Sequence, residues 1–139
     1  MKHITSDNTA AIIRFDKDED VCLLLKEYLE KENVTTGFFS GIGACKKVIL
    51  SYFNVETKKY EDKIFDQNLE IVSLSGNIAK KDGKPFIHCH GVFSDAEMKT
   101  YGGHVKELIV SVTCEIALTK IQGSAIRKKD SEFGLHFFE

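Results

Sequence analysis

Only one stretch of this 139-residue chain carries a helical period, and that limits the fold more than any other feature. Val21, Leu24, Leu25, Tyr28 and Leu29 fall at i, i+3, i+4, i+7 and i+8, one apolar stripe on an amphipathic helix. Asp16 to Asp20 precede it, where carboxylates suit the positive end of a helix dipole, and the pattern ends near Asn33. Most of the remainder reads as strand. Ala10–Phe15, Lys47–Val55, Tyr60–Phe65, Leu69–Ile78 and Phe86–Phe93 have the composition and alternation of strands. Lys80 to Pro85 is a turn built on Asp82-Gly83, and Ser94 to Gly103 is a loop or short helix. Leu108–Ile121 is a long strand whose apolar density predicts burial on both faces, and Phe133–Phe138 adds an edge strand. The sum is an α+β chain: one amphipathic helix on a mostly antiparallel, twisted sheet, in one compact domain over residues 1–139.

Charge and composition narrow the function. Nineteen Lys and Arg against 21 Asp and Glu leave a net charge of −2, which argues against a free-standing basic nucleic-acid binder. No apolar run is long enough for a membrane helix, and MKHITSDNTA lacks the apolar segment of a signal peptide. Cys22, Cys45, Cys89 and Cys114 are widely spaced with no CxxC pair, so reduced packing thiols in a cytoplasmic protein are expected. Ten Phe and four Tyr, with one helix to cover the sheet, leave an apolar surplus that a homo-oligomeric interface would bury.

Three of the five histidines cluster in sequence. His88 and His90 sit two apart in a predicted strand, so both side chains share a face. His104 follows Gly102-Gly103, a flexible pair that could fold a loop back over that face. Three imidazoles are a usual ligand set for catalytic zinc, and nickel or iron also accept nitrogen ligands. Against this, a histidine pair can equally be a polar face bonded to carboxylates or carbonyls. Cys89, between them, points the other way. Glu115 stands in an apolar strand and needs a partner: it could orient a metal-bound histidine or act as a general base, or it pairs with Arg14. The glycines of Gly37–Gly43 fit no phosphate-loop or dinucleotide pattern, and suggest close backbone approach or a bulge. The lysine groups and Arg127-Lys128-Lys129 read as solvated surface.

GFFSGIGA (37–44), LEIVSLSGNI (69–78), KPFIHCHGVFSD (84–95), YGGHV (101–105) and SVTCEIAL (111–118) occur in this order. Together they resemble the plant and prokaryote conserved (PPC) domain, from about Thr9 to Leu118. The resemblance implies a compact α+β domain with an antiparallel sheet, assembled as a homotrimer. It implies a metal, often zinc, held in some prokaryotic members by three histidines near a subunit interface; here these are His88, His90 and His104. Arg14 and Glu115 also match family positions. Plant members carry AT-hook segments before the domain, and single-domain prokaryotic members are commonly labelled as predicted DNA-binding proteins. This chain has no Arg-Gly-Arg core, and Arg14 and Arg127 are its only arginines, so the AT-hook mode of minor-groove binding is missing.

Three functions compete on the sequence. The first is a small cytoplasmic homotrimer with a site for zinc, another divalent transition metal or a small-molecule ligand at His88, His90 and His104. The second is a DNA-binding or transcription-associated regulator, acting with a protein partner. The third is a metal-dependent hydrolase or lyase, with Glu115 as its candidate base.

Overall fold

The computed structural model describes residues 1–139. In chain order it runs β1 (Lys2–Ser6), β2 (Ala10–Asp16), α1 (Val21–Lys31), β3 (Gly37–Asn54), β4 (Lys59–Phe65) and β5 (Leu69–Lys81). It continues through β6 (Lys84–Ser94), β7 (Thr100–Lys120), β8 (Arg127–Lys129) and β9 (His136–Phe138). Seven strands form one sheet in the order β1-β2-β7-β6-β5-β3-β4, every neighbour antiparallel. An additional antiparallel pairing of β7 with β3 closes β3, β5, β6 and β7 into a ring. No helix is long and apolar enough to cross a membrane.

The helix forms where the apolar stripe predicts it. The Asp20 side chain accepts from the backbone N–H groups of Cys22 and Leu23 and so satisfies two of the donors that a helix start leaves free. Val21, Leu25, Tyr28 and Leu29 are buried, Leu24 packs partly buried beside them, and α1 rests on β6 and β7. Burial of each such side chain stabilises by roughly 1.5–3 kcal/mol, which anchors a helix too short to persist alone. The turn between β5 and β6 has both central residues at positive φ, Asp82 at 51° and Gly83 at 79°, as a two-residue hairpin requires.

Several expectations change. The glycine stretch Gly37–Gly43 and the strand read over Lys47–Val55 are one strand, β3, whose register shifts at Gly41/Gly43 and Gly43/Cys45 let it bend without ending. Residues 94–103 hold no helix. Asp95 Oδ1 instead accepts from the N–H groups of Glu97 and Lys99 at 2.9 and 3.0 Å, and the tight turn leads into β7 at Thr100. β7 is buried on one face: Val105, Leu108, Val110, Cys114, Ile116 and Leu118 point inward, while Val112 is 70% exposed. Its apolar run therefore mixes a core face with an uncovered outer face. The C-terminal strand β9 pairs with β8 and stays off the main sheet. β1, which has no clear alternation in the sequence, adds an edge strand against β2. Cys45, Cys89 and Cys114 are buried, Cys22 is half-buried, and all four are free thiols.

The glycine reading of residues 37–43 holds. A Cβ at Gly43 would lie 2.1 Å from the Thr113 carbonyl oxygen and 2.8 Å from Cys114 Cα, both backbone atoms that cannot step aside. Gly43→Ala should therefore destabilise the protein by about 2–3 kcal/mol. A chemical-denaturation midpoint equal to that of the parent would show that β3 and β7 tolerate a wider separation.

Candidate metal centre

Strand geometry places two of the three histidines. His88 and His90 project from one face of β6, while Cys89 between them turns into the core. His104 arrives by pairing: its Cα is the register partner of His90 across β6 and β7. Gly102 and Gly103 thus belong to β7 and form no flexible loop. A Cβ on Gly103 would stand 3.1 Å from the Ser51 carbonyl oxygen, so the glycine serves close strand packing. The β6–β7 pairing stops at His90–His104. Beyond it β7 continues against β3, where His104 faces Ser51, and β6 continues against β5, where His88 faces Asn77.

The imidazoles crowd one another. One nitrogen of each ring lies within 4.8 Å of one nitrogen of the other two. The Nε2 atoms of His88 and His90 are 3.2 Å apart, and the ring centroids lie 5.0, 5.2 and 5.4 Å from one another. Burial, then the nearby His88 and His90, push His104 down to about 4. Burial first, then Arg127 and His90, also lower His88. Both rings are therefore neutral near pH 7, with lone pairs to offer. The Nδ1 of His104 is buried and has no hydrogen-bond partner. A buried nitrogen without a partner, on one of two neutral imidazoles beside a third ring, suits a borderline transition-metal ion.

Arg127, read from the sequence as surface, is the residue that reading missed. It is 7% exposed, whereas Lys128 and Lys129 beside it are exposed. Its guanidinium lies over the rings of Phe138 at 4.3 Å and Phe86 at 5.7 Å. It donates to the His136 carbonyl at 2.5 Å and to Asn77 Oδ1 at 2.7 Å, and Nη2 sits 3.3 Å from His88 Nδ1. A guanidinium only donates, so Nδ1 of His88 accepts and the ring proton sits on Nε2 toward His90. A metal on that Nε2 requires the proton to leave it and the Arg127 contact to open. The only sequence signal was a rare arginine following Ile126 in a lysine-rich chain.

Arg14 and Glu115 lie elsewhere. They are register partners on β2 and β7, but Arg14 bonds Asp16 Oδ1 through Nη2 at 2.9 Å and Nε at 3.0 Å. Glu115 is exposed and meets only the Thr113 hydroxyl, at 3.5 Å. It stands eleven residues beyond His104 along β7, roughly 35 Å of extended strand, and bonds none of the three histidines. The carboxylate facing His104 is Asp62, which Lys106 holds at 2.7 and 2.8 Å and Ser51 at 2.7 Å.

A family model described as the Plants and Prokaryotes Conserved (PCC) domain matches residues 3–122, which leaves Arg127, β8 and β9 outside the match. Among solved structures, a metal-containing protein from Archaeoglobus fulgidus is 32% identical, with 100% of this chain and 99% of that one aligned at a TM-score of 0.88. A candidate DNA-binding protein from Bacteroides thetaiotaomicron superposes at a TM-score of 0.95 over 99% of this chain and 96% of its own. At 22% identity that likeness shows the fold alone. Bifunctional protein GlmU from a Synechococcus strain is 28% identical over 108 residues, 76% of this chain, and the chain spans 16% of that protein's length.

The histidine shifts fix a direction for acid sensitivity. A folded value below the ordinary 6.5 means that the unfolded chain binds more protons, so stability falls as pH drops from 6.5 toward 4. Metal-free protein should melt at progressively lower temperature across that window, and His104→Gln should flatten the dependence. Equal slopes in the two proteins would remove His104 as the cause.

Proposed function

The chain belongs to the Plants and Prokaryotes Conserved domain family, and from that premise we propose that it is a metal-binding member, with zinc or another divalent transition metal held by His88, His90 and His104. One observation carries this: three imidazoles from two paired strands bring nitrogens within 4.8 Å of one another. The lowered His88 and His104 and the unpartnered Nδ1 of His104 fit such an ion. The metal-containing relative from Archaeoglobus fulgidus supports the same reading. A bound ion would supply Lewis-acid polarisation of a ligand in an open coordination position. The protein's own part is to keep His88 and His104 neutral and to wall His104 with Tyr60, whose ring lies 5.3 Å away.

We further propose that the chain works as a homotrimer in a reducing cytoplasm. Ile42, Val72 and Val112 are 62%, 51% and 70% exposed and line one shallow recess on the outer sheet face, the apolar surplus that an interface would cover. Burial raises Cys45, Cys89 and Cys114 to about 12, so these thiols are unreactive and suit compartments where cysteines stay reduced. DNA association draws no comparable support. Lys46, Lys47 and Lys106 pair with Asp18, Glu107 and Asp62, and Arg14 pairs with Asp16.

Protein purified without chelator should hold close to one transition-metal ion per chain, and His88→Ala should lose it. Metal retained in His88→Ala, or no metal in the parent, would remove the proposal. Light scattering should report three chains per particle, and Val112→Asp should shift it toward one; a monomeric parent would end the trimer assignment.

A further inference from the structure

Where β6 and β7 part company beyond His90 and His104, a cavity of about 520 Å3 opens in the fork, above α1. That volume is in the range of small-molecule sites. His104 forms part of its wall, so the cavity borders the histidine cluster directly. Lys26, Lys81, Lys84 and Lys106 line it, against Asp82 as its one carboxylate. Lys106 is already paired with Asp62, while Lys26, Lys81 and Lys84 form no ion pair. The rest of the wall is largely apolar: Phe86, Ile87 and Val105 among others. Lys81 Nζ lies over the Phe86 ring at 5.2 Å, and Arg127 lies against the same ring at 5.7 Å.

The cluster itself is short of negative charge. No carboxylate bonds to His88, His90 or His104, and Arg127, 7% exposed, has no carboxylate partner and an unpartnered Nε. Asp62, the carboxylate facing His104, is already held by Lys106 and Ser51, so a divalent ion beside the Arg127 guanidinium would add to a local excess of positive charge. Such an excess favours an anion nearby. Resting on the metal assignment above, we propose that the β6–β7 fork binds a small organic carboxylate in the cavity that His104 borders, held at its charged end by Lys81 and Lys84 at the hairpin end. The apolar wall favours a carboxylate with an apolar body over a bare inorganic anion, because Phe86, Ile87 and Val105 offer nothing to a fully hydrated ion.

The test uses the full chain, cobalt as the metal probe, and two anions: benzoate, with an apolar ring, and inorganic phosphate, without one. Calorimetry on cobalt-loaded protein should show one benzoate per chain and much weaker phosphate binding. The double variant Lys81→Ala/Lys84→Ala lies at an exposed hairpin end, and should keep its cobalt while binding benzoate about tenfold more weakly. Cobalt uptake with no benzoate binding overturns the proposal and leaves the metal assignment standing. Undiminished benzoate binding in the double variant overturns the location, and phosphate binding as tightly as benzoate overturns the organic class. If the protein takes up no cobalt, the metal assignment fails. The cavity is then read on that metal-free protein, where benzoate binding lost in the double variant supports it and no binding overturns it.

Discussion

The antiparallel pairing of β3 with β7 holds the remaining structure in register. It runs from Gly37–Lys120 to Ser51–His104, with three register shifts that bend it. β7 also accepts β2 along its second half and β6 along its first few residues, so one strand joins β2, β6 and β3 and closes the ring. A one-residue slip would turn every side chain of β7 to the opposite face. His104 would then point into the core, and Val105, Leu108 and Val110 would point out of it. Close backbone approach at Gly43, where a methyl group would strike the Thr113 carbonyl, helps pin the one permitted register.

The candidate centre follows from that pairing by simple steps. Period-2 geometry aligns His88 with His90, and the β6–β7 register adds His104. Crowding then does the electrostatic work: burial and neighbouring imidazoles keep His88 and His104 neutral without help from a carboxylate. Arg127 opposes as well as supports this centre. It fixes the His88 ring, yet its hydrogen bond to Nδ1 selects the tautomer that keeps Nε2 protonated. A cation so placed leaves the centre electropositive, and the lysine-lined fork beside His104 extends the same field.

Much of the fold was legible because the responsible residues act locally. The α1 stripe, the Asp20 cap, the Asp82-Gly83 turn and the strands β2, β4, β5 and β6 each depend on neighbours within a few positions. The errors fell where distant segments decide. Gly102-Gly103 reads as a hinge in isolation, but Ser51 across the sheet makes it strand. The apolar run of β7 reads as doubly buried, yet Val112 and its neighbour Ile42 face outward in one chain. Arg127 reads as surface beside two lysines, although Phe86, Phe138 and Asn77 enclose it from other strands.

By itself the sequence determined the α+β class, the single helix and its buried face, the shared face of His88 and His90, and the burial of Cys45, Cys89 and Cys114. Period, capping and turn chemistry operate over a few residues and leave their mark in the order of amino acids. Only the tertiary structure decided that His104 completes the cluster from a paired strand, that Glu115 stands far along β7 from it, and that Arg127 rather than Arg14 meets a histidine. These depend on strand register and ring closure, which bring together residues tens of positions apart. Register is set by the packing of whole faces and by backbone contacts such as Gly43 on Thr113, which no local pattern encodes.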